Sequence, residues 1–327
     1  MKPKRLAPLR NFFLTILLLA GGAAAPAAAQ GSDARVSIVA PVPPGGPMDF
    51  AARLLANEMQ KRSGRVAIVE NKPGAGALIG AEFVARARPD GTTLLVHNTS
   101  IVAYPVFLET RFDASRDLVL LTPLMGAPHV LFASSAMPRT LQEVVAYARA
   151  NPGKINIAVI PNTLQQLRTY KLMKALGIDA ALIPYAGTAP VQRALLANEV
   201  QLYMASPFGM EAFVRDGRMR ALATLANEPF PTLPDVPVAK AQGLNFESVE
   251  RYLLMAPAGT PEATLTRIYR DVVEVFNDPQ VASQVRNIGN IPQTATPEDA
   301  ARMLRELNAE AADLGRQLGV KRGAIPQ

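Results

Sequence analysis

Cysteine and tryptophan are absent from the 327 residues, and histidine occurs only twice. Without cysteine there can be no disulfide, so an exported chain with this sequence depends on its hydrophobic core. Two isolated histidines, His97 and His129, give no ligand cluster for a transition metal. The acidic residues are spread over helical surface patterns. We therefore expect neither a metal nor a cofactor.

Residues 1–29 have the pattern of a secretory signal peptide. Basic residues without an acid are followed by the apolar run NFFLTILLLA and by small residues that end A-x-A at Ala29. The alternative is an uncleaved membrane anchor. The apolar run is shorter than the ~20 residues that a spanning helix needs, and Gly21-Gly22 interrupts it, so cleavage before Gln30 is favoured.

The basic character of the chain comes largely from this leader. It holds four of the 34 Lys and Arg residues and none of the 27 Asp and Glu residues, so the net charge falls from +7 to +3 without it. No block of Lys and Arg remains as a phosphate-binding footprint, which argues against a nucleic-acid partner.

Strand and helix patterns alternate from Val36 onward. The apolar segment VSIVAP is followed by a helical pattern that ends at Gly64, by the strand pattern RVAIVEN, by a second helix, and by the strand pattern TTLLVHNTS. Such alternation predicts a parallel sheet with helices on both faces.

The same order of elements starts again at Ile155, after a helix whose Thr140 and Glu143 have capping-box spacing. Two further helices are predicted near the C-terminus, capped by Thr260 and Thr296 and each followed by proline. The sequence therefore predicts an α/β protein of two lobes, each a mostly parallel sheet flanked by helices.

The sequence disfavours both a dinucleotide-binding site and a serine hydrolase site. The stretch GAGALIG has the spacing G-x-G-x-x-x-G and follows the second strand, so it indicates a tight turn and close helix packing rather than a dinucleotide site. A serine hydrolase using Ser100 or Ser206 lacks the G-x-S-x-G elbow. His129, between Pro128 and an apolar run, is expected to be a packed or partly exposed histidine.

The stretch VSIVAPVPPGGPMDF joins a strand to a helix through prolines and glycines. A helix start offers unpaired N–H groups and a partial positive charge, which suit an anion. Gly46 would let a ligand approach the backbone and would allow a positive φ angle. Asp49 would either cap these amides or receive a ligand hydroxyl or amine. Similar turns occur at 161–163 and at PYAGTAP.

Several segments, in order and spacing, resemble the Bug-type extracytoplasmic solute receptors of tripartite tricarboxylate transporters. They are APVPPGGPMDFAARLLANEM, VENKPGAGALIGAEFVARARPDGTTLL, IPYAGTAPVQRALLANEVQL, GRMRALAT, LPDVPVAKAQGL and MAPAGTP. The resemblance implies a type II-like, two-lobe periplasmic binding protein. Its expected lobes are 30–132 with 252–327, and 133–251, with crossings near 129–135 and 246–255.

The resemblance also implies a cleft that holds a small carboxylate largely through backbone amides and ordered water. The matched positions are Pro43, Pro44, Gly45, Gly46, Asp49, Asn98, Thr99 and Ser100 in the first lobe, and Ala158, Val159, Asn162, Thr163, Gly187, Thr188, Ala189 and Ser206 in the second.

The expected function is that of a monomeric periplasmic receptor, not an enzyme, which hands a carboxylate to inner-membrane transporter subunits. One alternative is a sensing protein that feeds a signalling receptor, and another is a hydrolase. The three presumed loops PVPPGGPMD, AVIPNT and YAGTAP contain no Lys or Arg. With Ala158, Val159 and Ile160 in the second loop, the expected ligand has one carboxylate end and a more apolar body.

The leader gives a first prediction. Protein recovered from the periplasm should begin at Gln30 or within a few residues of it, because the A-x-A ending directs cleavage there. Intact-mass measurement checks this. A mass that includes Met1 would show that the leader is retained.

Overall fold

The strands form two separate sheets in a computed structural model that describes residues 35–230 and 232–322. The predicted signal peptide and its cleavage point lie outside the described residues. The strands are β1 (Val36–Ala40), β2 (Ala67–Asn71), β3 (Thr93–Asn98), β4 (Leu118–Pro128), β5 (Val130–Ser134), β6 (Ile155–Val159), β7 (Ala180–Pro184), β8 (Leu202–Ala205), β9 (Met219–Thr224), β10 (Val249–Pro257) and β11 (Ile291–Pro292).

Helices connect and cover these strands, and three short 3₁₀ turns accompany them at Ala75–Ala77, Thr99–Ala103 and Ala239–Gln242. The helices are α1 (Pro47–Ser63), α2 (Leu78–Ala85), α3 (Tyr104–Phe107), α4 (Ala114–Asp117), α5 (Leu141–Ala150), α6 (Leu164–Leu176), α7 (Thr188–Leu196), α8 (Glu211–Arg215), α9 (Glu262–Phe276), α10 (Pro279–Asn287) and α11 (Pro297–Gln317). Among the described residues, none of these helices is both long and apolar enough to cross a bilayer.

Each sheet combines parallel and antiparallel pairs. The first has the order β11-β4-β10-β3-β1-β2, with β1 parallel to β2 and β3, and with β10 antiparallel to β3 and β4. The second has the order β7-β6-β8-β5-β9, with β6 parallel to β7 and β8, and with β5 antiparallel to β8 and β9. The α/β fold is confirmed, but the sheets are mixed rather than mostly parallel: two of the five strand pairings in the first sheet and two of the four in the second are parallel. The antiparallel pairings arise because β4, β5 and β10, which adjoin the crossings, run against their neighbours.

Apolar side chains cover both faces of each sheet. On the first sheet, one cluster includes α1, α9 and α10, and the opposite cluster includes α2 and α11. The second sheet likewise has one cluster on either face. Each sheet is therefore the middle layer of its own three-layer core.

Local signals set most helix ends. Gly46 is the N-cap of α1 and Pro47 its first residue, while Gly64, at φ 68°, ends the helix as predicted. The predicted capping box of α5 is also confirmed, because the Thr140 hydroxyl accepts from the Glu143 amide and the Glu143 carboxylate accepts from the Thr140 amide.

The predicted cap of α9 is wrong, whereas that of α11 is confirmed. Thr296 caps α11 by accepting from the Asp299 amide. The N-cap of α9 is instead Pro261, since the buried Thr260 hydroxyl donates to the Pro257 carbonyl at 2.7 Å. A turn before the helix thus uses the hydroxyl that the sequence pattern assigned to the cap.

The stretch GAGALIG has the structural role that its spacing predicted. Gly74 and Gly76 have φ angles of 134° and 64°, which a glycine adopts at low cost. A Cβ on Gly80 would lie 2.6 Å from the Pro41 Cβ, so the helix packs against the strand end at a distance only glycine permits.

The two crossings between the sheets lie against each other. His129 separates β4 from β5, and Ser248 precedes β10. The His129 Nδ1 is 2.7 Å from the Ser248 hydroxyl, and the His129 amide donates to the Ser248 carbonyl at 2.8 Å. Of the two predicted environments of His129, packed or partly exposed, the structure shows the packed one, and the side chain joins the two crossings.

A second connection between the sheets lies on the helical side. Arg168 of α6 forms a bidentate ion pair with Glu310 of α11, at 2.9 and 2.6 Å, and also donates to the Val249 carbonyl at 2.9 Å. Such planar pairing fixes the relative orientation of the two helices.

His129 gives a prediction on pH dependence. Burial, aided by the Arg168 charge, lowers the pKa of His129 to about 3. In the unfolded chain a histidine has a pKa of about 6.5, so only that state gains the proton as pH falls below neutrality. The free energy of unfolding should therefore drop by about 2 kcal/mol between pH 7 and 5 on account of this residue.

The variant His129→Asn isolates this effect. Urea unfolding at several pH values should show a shallower pH dependence for the variant than for the wild type, by about 2 kcal/mol over the same range. Equal pH dependences would mean that His129 is protonated in the folded state.

Candidate functional site

The loops after β1 and β3 lie at the same edge of the first sheet, because these strands are parallel neighbours. Ligands of open α/β sheets bind at this edge. Pro43, Pro44 and Gly45 are exposed there. The positive φ expected of Gly46 belongs instead to Gly45, at 102°, while Gly46 has φ −90° and open space where a Cβ would be.

Asp49 holds this loop from within the first turn of α1. Its side chain is buried, and its Oδ2 accepts from the Gly45 amide at 3.0 Å and from Arg53 Nε at 2.9 Å. Its Oδ1 accepts from Asn71 Nδ2 at 2.8 Å, and the same amide group donates to the Val42 carbonyl at 3.0 Å.

The charge of Asp49 is stabilised by these contacts. Burial acts to raise the pKa of this carboxyl, but the hydrogen bonds from Arg53, Asn71 and Gly45 outweigh it and hold the pKa below its usual value. Both oxygens are thus committed to the protein. Of its two predicted roles, the geometry matches capping of the loop amides.

The turn after β3 is buried and self-capped. Asn98 accepts from the Ser100 amide at 3.2 Å, and Thr99 and Ser100 are 2% and 5% exposed. The Asn98 side chain also donates to Glu250 Oε1 at 2.6 Å. A side-chain hydrogen bond of this turn therefore joins the end of β3 to the start of β10.

The loops after β6, β7 and β8 share one edge of the second sheet, since β6 is parallel to both neighbours. Ala158 and Val159 are buried within β6, so only their backbone is placed to serve a ligand. Asn162 has φ 62°, and its amide donates to Gln166 Oε1 at 2.9 Å. Thr163 caps α6 by accepting from the Gln166 amide at 3.1 Å.

A second helix start lies beside that of α6. Gly187, at φ 152°, is the N-cap of α7, and Thr188 is the first residue of the helix. The side chain of Thr188 is close enough to the Tyr203 hydroxyl to affect its pKa. Ala189 is exposed, and the Ser206 hydroxyl accepts weakly from the Phe208 amide at 3.5 Å.

One contact shows that the two edges face each other. The Leu164 amide, at the start of α6, donates to the Ser100 hydroxyl at 3.3 Å. The predicted residues of the two sheets thus meet at the 98–100 turn and the 162–164 helix start.

The histidine next to this contact is not arranged for catalysis. His97 lies with its Nε2 2.9 Å from the Tyr104 hydroxyl and its Nδ1 2.9 Å from the Asn98 carbonyl. Burial lowers its pKa to about 4. Both ring nitrogens are occupied, so the geometry gives Ser100 no general base from His97.

Sequence reasoning missed the polar group at the base of the cleft. Glu250 lies opposite the turn after β3 and contacts Asn98 and Tyr252. Tyr203 of the second sheet, whose pKa is affected by Glu250, and Gln165, whose side chain lies near the Tyr203 hydroxyl, were also missed. The available signal was an acid at the beginning of the buried strand that ends in LLMAP.

Among the residues that the structure describes, two cavities lie away from these loops. One, of about 440 Å³, is lined by Arg111, Phe112 and Arg116, and the other, of about 580 Å³, by Arg168, Arg251 and Arg302. The loops that the sequence predicted, rather than these cavities, bring together helix starts from both sheets.

The model of the tripartite tricarboxylate transporter family receptor matches residues 51–320. The chain belongs to this receptor family. The curated protein BugT of Bordetella pertussis is 28% identical over 320 residues, which cover 94% of this chain and 96% of BugT. The sequence-based resemblance is thereby confirmed.

Solved receptors support the same assignment. MatC of Rhodopseudomonas palustris, solved with bound malate, is 28% identical to this chain and superposes with a TM-score of 0.76. The match covers 86% of this chain and 99% of the MatC chain. The periplasmic binding protein BugD is 28% identical, with a TM-score of 0.77 and coverages of 88% and 98%. The protein is therefore a solute-binding receptor with the two-lobe periplasmic binding fold.

Gly46 provides a test of the receptor's first loop. Because its φ is ordinary and its Cβ position is open, Gly46→Val should fold with nearly the wild-type melting temperature. The isopropyl group would fill the approach to the helix start, so affinity for a bound acid should fall at least about tenfold, which corresponds to ~1.4 kcal/mol.

Gly64→Val, at the other end of α1, is the matched control. Its φ of 68° strains any side chain, so this variant should lose stability and keep its affinity. Calorimetric titration with the acid that most raises the wild-type melting temperature checks both. Wild-type affinity in Gly46→Val would remove this loop from the site.

Proposed function

We propose that the receptor captures a small carboxylate between its lobes, in the periplasm, and delivers it to the membrane subunits of a tripartite tricarboxylate-type transporter. The proposed site comprises the matched loop positions given above, with the lobes formed by 30–132 with 252–327, and by 133–251. The protein would act as a monomer without enzymatic activity, after removal of its signal peptide.

The convergence of three helix starts carries this proposal. α1, α6 and α7 each begin directly after a strand of one of the two facing edges, and the loops that precede them contain no Lys or Arg. The partial positive charge at a helix start, together with those amides that no side chain of the protein engages, favours an anion without a cationic side chain. The malate bound by the relative MatC is consistent with a carboxylate ligand.

Because Ala158 and Val159 are buried, fewer side chains of the second loop can contact a ligand than the sequence predicted. Their side chains offer no surface to the ligand, so the apolar character of the second loop rests on Ile160 and the neighbouring Pro161, which are partly exposed. We propose that the ligand has one carboxylate end, held by amides, and a body that contacts these two residues.

A thermal-shift panel of mono-, di- and tricarboxylates, each with its neutral amide, tests the proposal. An acid at 100 times its dissociation constant should raise the melting temperature by about 4 °C, since binding adds about 2.7 kcal/mol to stability. The matched amides should have little effect. Equal shifts by amides and acids, or a larger shift by citrate than by any monocarboxylate, would contradict the proposed site.

A further inference from the structure

Glu250 places a carboxyl group at the point where the two sheets meet. Tyr252 of β10 lies opposite Asn98, the last residue of β3, so the antiparallel β10 places Glu250 beyond the end of β3. The side chain reaches back, where Asn98 Nδ2 donates to Oε1 at 2.6 Å and the Tyr252 hydroxyl donates to Oε2 at 3.3 Å. Glu250 therefore belongs to the same cluster as the 98–100 turn.

The side chains of the second sheet near the Glu250 carboxyl carry little positive charge. Tyr203 of β8 is buried near Glu250, and both it and Tyr252 have pKa values raised by burial. Arg168 acts on Glu250 through its charge, but its guanidinium is committed to Glu310 and to the Val249 carbonyl. Within the part of the chain that the structure describes, Glu250 has no ion-pair partner.

A second acceptor lies on the same side. Gln165, in the first turn of α6, is 8% exposed and donates its amide to the Met204 carbonyl. Its Oε1 is buried and has no hydrogen-bond partner among the described residues, and its side chain lies close enough to the Tyr203 hydroxyl to affect the pKa of that group. A buried acceptor without a donor is destabilising, and a donor group of a suitable ligand would supply the missing hydrogen bond.

We infer that Glu250, supported by Gln165, selects the far end of the ligand: it accepts an N–H or O–H donor and excludes a second carboxylate. The inference rests on the proposed function, in which amides at the helix starts hold the first carboxylate. The Glu250 carboxylate repels a like charge brought against it, whereas a hydroxyl or ammonium group of the ligand supplies a hydrogen-bond donor. The preferred ligands would be hydroxy or amino monocarboxylates rather than dicarboxylates.

Acids of equal length with different far ends test this selection. One set is hexanoate, 6-hydroxyhexanoate, 6-aminohexanoate and adipate, and the other is butyrate, 4-hydroxybutyrate, 4-aminobutyrate and succinate. In calorimetric titrations at pH 8, the wild type should bind a hydroxy or amino acid at least about tenfold more tightly than the dicarboxylate of the same length. The difference in affinity between the hydroxy acids and the amino acids shows whether the far end of the site prefers a neutral donor or an ammonium ion.

Glu250→Gln removes the charge and keeps the shape. It should reduce the preference over the dicarboxylate at least about tenfold. Glu247→Gln is the matched control, because Glu247 is exposed, lies three positions earlier, and contacts Asn227 at 3.1 Å. This control should keep the wild-type preference.

A pH series on the wild type gives the same test without a variant. Burial raises the pKa of the Glu250 carboxyl, so this group loses its charge at a higher pH than an exposed glutamate does. The two nearby tyrosines, whose pKa values burial raises, stay neutral over a series from pH 8 to 5.5, and so does His97, whose pKa burial lowers to about 4. Discrimination against the dicarboxylate should therefore weaken as pH falls.

The outcomes separate the inference from the proposed function. A wild-type preference for dicarboxylates, or an unchanged preference in Glu250→Gln, overturns the inference while the receptor function stands. A wild type that binds none of the eight acids contradicts the proposed function, and the inference with it. If Glu250→Gln does not fold, the wild-type comparison of the matched acids decides the inference by itself: a dicarboxylate bound as tightly as the hydroxy and amino acids of the same length overturns it.

Discussion

The hydrogen bonds of the Asp49 carboxylate hold the loop on which the rest of the cleft depends. A loop rich in proline and glycine has a stiff path but no side chains of its own with which to fix its position. Asp49 compensates, because one buried carboxylate contacts the Gly45 amide, Arg53 and Asn71, and Asn71 in turn contacts Val42. The charge of Asp49 thus stabilises the loop itself. In the proposed site the ligand is held by the dipoles of backbone amides.

This division of roles explains the distribution of charge around the cleft. The bidentate pair of Arg168 and Glu310 lies behind the crossings, where it connects helices of both sheets. A cation in the proposed binding loops would attract any anion through its charge, whereas backbone amides act through directed hydrogen bonds. Under the inference drawn above, selection depends on Glu250 and Gln165, whose side-chain oxygens would accept from the ligand.

Elements controlled by neighbours in sequence could be predicted, and contacts between distant segments could not. The end of α1 at Gly64 and the capping box at Thr140 depend on residues within one helical turn. The start of α9 was misplaced by one such signal, because Thr260 is used by a turn instead. Glu250 escaped detection since its bond to Asn98 joins positions 152 residues apart, and only the pairing of β10 with β3 brings them together.

The hydrogen bond from the Leu164 amide to the Ser100 hydroxyl is made between the two halves of the molecule, so an opened cleft must give it up. A neutral hydrogen bond contributes about 1 kcal/mol, which changes a ratio of two populations about fivefold. This bond therefore raises the fraction of ligand-free molecules that are closed. Under the proposed function, a single serine hydroxyl would set part of the background against which a transporter distinguishes loaded from unloaded receptor.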